Sequence, residues 1–171
     1  MNRFLLAAFL LLPLGLFAQT ASRAGSPSPE PAYLRFPEVP PFKMVEPSGK
    51  VFTNKDLKKR TPTLMFLFSV DCEHCQHETE WITQHIDEFK NSQIVMITPF
   101  GYNDMVGFYR GYGIDRYPNI HMGSDSTRQL NFFYQMRFWP GLYIYDKKGK
   151  IVYHAEGSHP VDTLVHYLRE K

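Results

Sequence analysis

The chain has 171 residues, 19 Lys and Arg against 17 Asp and Glu, a formal net charge of +2, and 2 cysteines. That length suits one domain with a single core. The small, dispersed charge leaves no basic stripe for nucleic acid, and the sequence holds neither a Gly-rich phosphate loop nor an internal repeat.

Met1-Asn2-Arg3 is a short basic start, and Phe4 to Phe17 is almost wholly apolar. The run is shorter than the roughly 20 residues of a membrane span, so residues 1–18 are expected to be an export signal cleaved after Ala18. An uncleaved anchor is the alternative. No cysteine follows the run, which excludes a lipid-modified cysteine at the new N-terminus. Export implies a periplasmic or otherwise extracytoplasmic, oxidising compartment. Residues 19–41 contain Pro27, Pro29, Pro31, Pro37, Pro40 and Pro41, and read as a flexible linker, either a free tether or a draped arm. The domain is expected over residues 42–171.

Within it, Lys43-Met44-Val45 and Val51-Phe52 flank Pro47-Ser48-Gly49 and read as a hairpin. Thr63 to Phe68 is a buried strand by its continuous apolar character. From Glu73 to Lys90 the pattern turns helical, with Cys75, Ile82, Ile86 and Phe89 on one face. Ile94 to Ile97 is a second buried strand. Met105, Phe108, Tyr109 and Tyr112 recur at helical spacing, with Gly113 as the stop. A shorter helix is expected around Leu130, Phe133 and Tyr134. Leu142 to Tyr145 and Ile151 to His154 form a hairpin through Asp146-Lys147-Lys148-Gly149-Lys150. Ser158 is a candidate cap for a last helix, with Pro160 in its first turn. The order predicts an α/β fold, a mixed central sheet flanked by helices, extended at its N-terminal end by the first hairpin.

Cys72-Glu73-His74-Cys75 lies where the first buried strand gives way to the helix. This spacing and placement favour a redox pair, with Cys72 as the attacking sulfur and Cys75 as the resolving one. A disulfide closing so short a loop restricts the unfolded chain little, which argues against a structural staple. Glu73 and His74 sit where they would tune the pair: an imidazolium favours the reduced state and a carboxylate opposes it. The other reading of His74 is a solvated surface residue. Glu78 falls on the helix face of Ile82 and Ile86. A carboxyl there is costly unless neutral or paired, and burial would let it exchange a proton with Cys75. A solvated carboxylate near the helix start is the alternative.

His77, His85 and His121 raise a metal reading. Cys72, Cys75 and His77 offer two thiolates and an imidazole, which defines the alternative function, a copper-binding or chaperone module. Cys72 and His77 fall on different sides of the helix, however, and no second CxxC adds ligands, so no metal ligand is assigned. Gln76 stands where covalent haem attachment needs a histidine. The ten Tyr and fourteen Phe are expected mainly in the core, with an aromatic rim near Trp139.

Three stretches resemble the thioredoxin fold, and within it the exported TlpA/ResA-type thiol–disulfide oxidoreductases: Pro47-Ser48-Gly49-Lys50-Val51 through Asp56-Leu57, Cys72 through Glu78 as C-x-x-C-x-x-E, and Pro140 through Gly157. The resemblance implies a cis-proline at Pro140, a Trp139-Pro140 segment that pairs with substrate backbone, and Glu78 as the proton-managing carboxyl. It implies protein dithiol or disulfide substrates, no cofactor beyond a redox-active Cys72–Cys75 disulfide, and a possible membrane-bound electron donor if the protein is a reductase. The oligomeric state is left open. Two positions depart from the pattern: Asp71 stands where an aromatic residue is usual, and Trp139 where a small or β-branched one is usual. The Pro and Thr or Ser spacing of the related peroxiredoxin peroxidases is missing. A non-catalytic binding domain on the same fold is the third reading.

Overall fold

The computed structural model describes residues 30–169; the expected signal and the first part of the linker, to residue 29, lie outside them. From Glu30 onward the linker is an arm laid on the domain, with a single helical turn, α1 (Ala32–Arg35), and a buried Tyr33. Val39 N–H donates to the Gly149 carbonyl (3.1 Å) and Ile151 N–H to that of Pro37 (2.8 Å). Glu38 forms an ion pair with Lys150. The prolines keep the arm extended, and these bonds cover the start of an edge strand that would otherwise be open.

β1 (Lys43–Val45) and β2 (Val51–Thr53) form the expected hairpin, followed by β3 (Thr63–Leu67), α2 (Glu73–Gln84), β4 (Gln93–Thr98), α3 (Tyr102–Gly111) and β5 (Ile120–Ser124). Then come α4 (Gln129–Tyr134), β6 (Gly141–Tyr145), β7 (Ile151–Glu156) and α5 (Val161–Arg169). The seven strands make one mixed sheet in the order β2-β1-β5-β4-β3-β6-β7. β3, β4 and β5 are parallel, β6 returns antiparallel beside β3, and β7 is antiparallel to β6 at the edge. Among the described residues no helix is long and apolar enough to cross a membrane.

Strand alternation sends Leu64 and Phe66 to one face and Met65 and Leu67 to the other. Both faces are covered, which is why β3 reads as an unbroken apolar run. One core joins Cys75 and Ile82 of α2, Met105 and Phe108 of α3, and Leu164 and Val165 of α5. The opposite core joins Tyr33, Leu130 of α4, and the stacked Tyr134 and Tyr143 (centroids 3.6 Å apart).

The structure differs from the sequence reading at three elements. β5 was not expected, because His121 and Gly123 interrupt its apolar character. His121 is accommodated by stacking on Phe52 (4.4 Å) beside Glu46 (3.4 Å). Gly123 is required, since a Cβ there would stand 2.7 Å from Met44 Cγ and 2.9 Å from the Val45 carbonyl. The helix expected to run to Lys90 stops at Gln84, and Ile86–Phe89 forms a separate 3-10 turn. Thr79 and Thr83 bond backward to Cys75 and Thr79 carbonyls, the side-chain competition that weakens a helix end. Ser158, expected to cap α5, instead donates its hydroxyl to the His74 carbonyl (3.1 Å).

Tyr33 anchors the arm by ring contacts to Tyr134 and Tyr143 (5.7 and 5.6 Å). Tyr33→Ala should therefore lower stability by about 3 kcal/mol, as for other buried aromatic truncations, with the urea m-value unchanged. An unaltered midpoint in urea would show that the arm adds nothing to the fold.

Candidate active site

One row of the sheet assembles the site. Leu67 of β3 is paired with Gly141 of β6, and Gly141 with Glu156 of β7. The loops leaving that row are the turn into α2, the segment entering β6 and the connection from β7 to α5. Gly141 lets the Met136 side chain pack against this crossing, since a Cβ would lie 2.7 Å from Met136 Cε and displace it.

After β3 the chain turns, with Phe68 N–H donating to the Ile97 carbonyl (3.0 Å) and Cys72 N–H to that of Ser69 (3.3 Å). Cys72 is the N-cap of α2, with extended backbone, and its Sγ accepts the Cys75 N–H at 3.4 Å. The cap sulfur is thus placed among the unpaired donors of the first turn. Cys72 is partly exposed, Cys75 is buried, and both are free thiols. Burial pushes the Cys75 thiol well up; its bond to Cys72 adds to this, a backbone bond from Ser69 opposes it, and the charges of Cys72 and Glu78 raise it further.

Glu78, one turn on, is fully buried. Its Oε2 accepts the His159 N–H at 3.0 Å, while Oε1 has no partner. Loss of water raises its pKa to about 7, against the lowering pull of that one backbone bond. The stripe that places Glu78 beside Ile82 thus yields a buried carboxyl, with one oxygen uncommitted, on the helix face of Cys75.

The Trp139–Pro140 peptide bond is cis. Pro140 is buried and its carbonyl accepts the Gly157 N–H (2.8 Å). Trp139 is half-buried between the two cores. Its other side lines a groove of about 450 Å³ with Phe100, Arg128, Asn131, Phe132 and Met136. Phe132 and Phe138 are 76% and 68% exposed, so the rim is aromatic as expected.

Asp71, Glu73 and His74 are exposed around the cysteine turn. His77 is exposed and lies 3.7 Å from Glu80, and His85 Nδ1 lies 2.9 Å from the Trp81 carbonyl. His121 belongs to the sheet's far part, beside Glu46. Among the described residues no three His, Cys, Asp or Glu side chains converge on a common point. Sequence reasoning missed Glu156 and His159, and gave Ser158 another task. The available signal was a run of polar residues after a strand end, Glu156-Gly157-Ser158-His159, with Gly157 at a φ of +85°.

Residues 37–154 match the AhpC/TSA family. No curated protein matches the sequence. Among solved structures, the chain is similar to a thiol:disulfide interchange protein DsbE, so described from Chlorobium tepidum, with a TM-score of 0.63, 19% identity, and 77% of this chain and 95% of that one covered. A secreted Mycobacterium tuberculosis disulfide oxidoreductase homologous to E. coli DsbE gives a TM-score of 0.62 at 18% identity, covering 74% and 93%. The exposed lipoprotein thioredoxin Etrx1 of Streptococcus pneumoniae gives 0.60 at 20% identity, covering 76% and 98%. These likenesses establish a thioredoxin-like fold. With the family match spanning residues 37–154 of 171, the chain belongs to the AhpC/TSA family.

Proposed function

We propose that this protein is an exported thiol–disulfide oxidoreductase of the TlpA/ResA type, acting on protein disulfides as a reductase. The observation that carries the reading is Glu78: fully buried, one oxygen without a partner, on the helix face of a buried Cys75. A structural disulfide needs no such carboxyl, and burying one without function is costly. The C-x-x-C-x-x-E pattern, the Trp139-Pro140 segment and the aromatic rim support protein substrates. The leader-like residues 1–18, and neighbours described as a secreted protein and an exposed lipoprotein, support export.

Cys72 attacks one sulfur of the substrate disulfide, forming a mixed disulfide, and the other substrate sulfur leaves as a thiolate that takes a proton from water. Cys75 then gives its proton to Glu78 and attacks Cys72 Sγ. The second substrate sulfur leaves, and two electrons have passed to the substrate as the Cys72–Cys75 disulfide forms. No organic cofactor is required, since the cysteine pair carries the electrons. Re-reduction requires another dithiol, for which a membrane-bound donor is proposed. Glu73 and His74, exposed beside the pair, are the tuning residues. The Trp139 backbone pairs with the extended substrate.

Equilibration in glutathione or dithiothreitol buffers should give a Cys72–Cys75 potential at or below about −270 mV, the thioredoxin value. A value near about −120 mV, that of DsbA, would make the protein an oxidant. Cys72→Ser should abolish reduction of insulin disulfides, and Cys75→Ser should accumulate a mixed disulfide visible on non-reducing gels. Turnover of hydrogen peroxide in preference to insulin would replace the reading with a peroxidase. Stoichiometric metal retained by wild type and lost in Cys72→Ser and His77→Ala would replace it with the copper module.

Glu78 also makes stability pH-dependent. In the fold its carboxyl holds a proton up to about pH 7, against an ordinary value of 4.5. Between those values the folded state binds more protons than the unfolded chain, so stability falls as pH rises through the window and stays lowered above it. The contribution is on the order of 3 kcal/mol. Glu78→Gln should remove this slope and be more stable than wild type at about pH 8 in urea titrations, while resolving the mixed disulfide more than about tenfold more slowly. Parallel stability profiles for the two proteins would rule out a buried, proton-holding Glu78.

A further inference from the structure

The connection after β7 bonds to both sides of the site with four consecutive residues. Glu156 accepts the N–H groups of Arg137 (3.1 Å to each oxygen) and Phe138 (2.8 Å). Gly157 N–H donates to the Pro140 carbonyl (2.8 Å). Ser158 Oγ donates to the His74 carbonyl (3.1 Å), and His159 N–H to Glu78 (3.0 Å). The first two residues hold the Trp139-Pro140 loop and the next two hold α2.

The Arg137 and Phe138 amides belong to exposed residues, so water could satisfy them. A carboxylate that receives both therefore fixes where the loop sits more than it stabilises the fold. Likewise Ser158 bonds the carbonyl of a residue between the cysteines. The sheet register brings the Trp139-Pro140 loop and the start of α2 to one edge without fixing the gap between them.

We propose that Glu156 and Ser158 are positioning residues of a strap that sets the distance between the substrate-pairing Trp139-Pro140 loop and the Cys72 turn. The strap rests on the exchange reading above. With the gap set in advance, an extended substrate meets both its backbone partner and the attacking sulfur without ordering the loop first. Loss of the strap therefore appears in binding of a protein substrate, not in the chemistry of the bound complex.

The test uses the purified protein turning over insulin as the protein disulfide with dithiothreitol as the electron donor, at rates above the protein-free background. Glu156→Ala should raise KM about tenfold and change kcat less than about twofold, with Glu156→Gln recovering part of the loss through its one acceptor oxygen. Ser158→Ala should also raise KM, and Ser158→Thr should restore it. Because either truncation releases the same gap, the double alanine variant should be no worse than the worse single one. Additive losses, or a lowered unfolding midpoint with KM unchanged, would overturn the strap. If wild type exchanges with neither insulin nor glutathione disulfide, the exchange reading fails on its own. Amide hydrogen exchange then decides about the strap: Arg137 and Phe138 amides exchanging at least about tenfold faster in Glu156→Ala, with β3 unchanged, support it. Unchanged protection at those two amides overturns it.

Discussion

The carboxyl of Glu78 sits in an apolar interior where the charged form is poorly solvated, and a single backbone N–H, that of His159, meets it. The rest of the site is arranged around this constraint. A carboxyl in such a place exists only if the fold brings a donor to it. Here the donor comes from the far end of the chain, on the connection from β7 to α5. That connection reaches α2 because β6 lies directly beside β3, and β7 beside β6. The return of the chain through these two strands thus places the one hydrogen-bond partner of the Glu78 carboxyl among the described residues, and the register Leu67–Gly141–Glu156 fixes its height above the sheet.

The opposite face contributes through its aromatic layer. Tyr134 and Tyr145 share a hydrogen bond of 2.6 Å between their hydroxyls, and burial pushes both groups above their ordinary values. Each buried phenol thus has a hydrogen-bond partner in the other. Tyr134 ends α4, and the loop that follows it leads to Trp139 within five residues. Packing on the face away from the cysteines therefore sets where the Trp139-Pro140 segment starts. Tyr33 joins this layer, so the arm before the domain is part of what holds α4 in place.

Unbroken apolar runs and period-three-to-four hydrophobicity made most of this fold legible, because β3, β4 and β6 are buried on both faces and α2 and α5 on one. The site's cysteines and Glu78 were legible for the same reason: their spacing is local, within one helix. β5 was not, since a stacked histidine and a glycine required by Met44 hide its period. Glu156 and His159 were illegible for a deeper reason. Their partners, Arg137, Phe138 and Glu78, are 18 to 81 residues away, and no local pattern encodes which loop a strand end will meet. Ser158 shows the limit well: before a helix, a serine reads as a cap, and only the tertiary contact with His74 reassigns it.

Trp139 is the departure whose consequence is easiest to follow. A small residue before the proline would leave the edge of the site open on the α4 side. The indole instead bridges the two cores and closes the floor of the groove shared with Phe132 and Met136. On the proposed function, a substrate strand paired with the Trp139 backbone would alternate its side chains between the cysteine turn and this groove. The groove is mostly apolar but edged by Arg128, so it favours an apolar residue next to the reacting cysteine, with an acceptor nearby. Glu73 and His74 lie outside the groove, exposed to solvent. The groove residues and the exposed Glu73 and His74 can thus each change in sequence without disturbing the buried Cys75–Glu78 face.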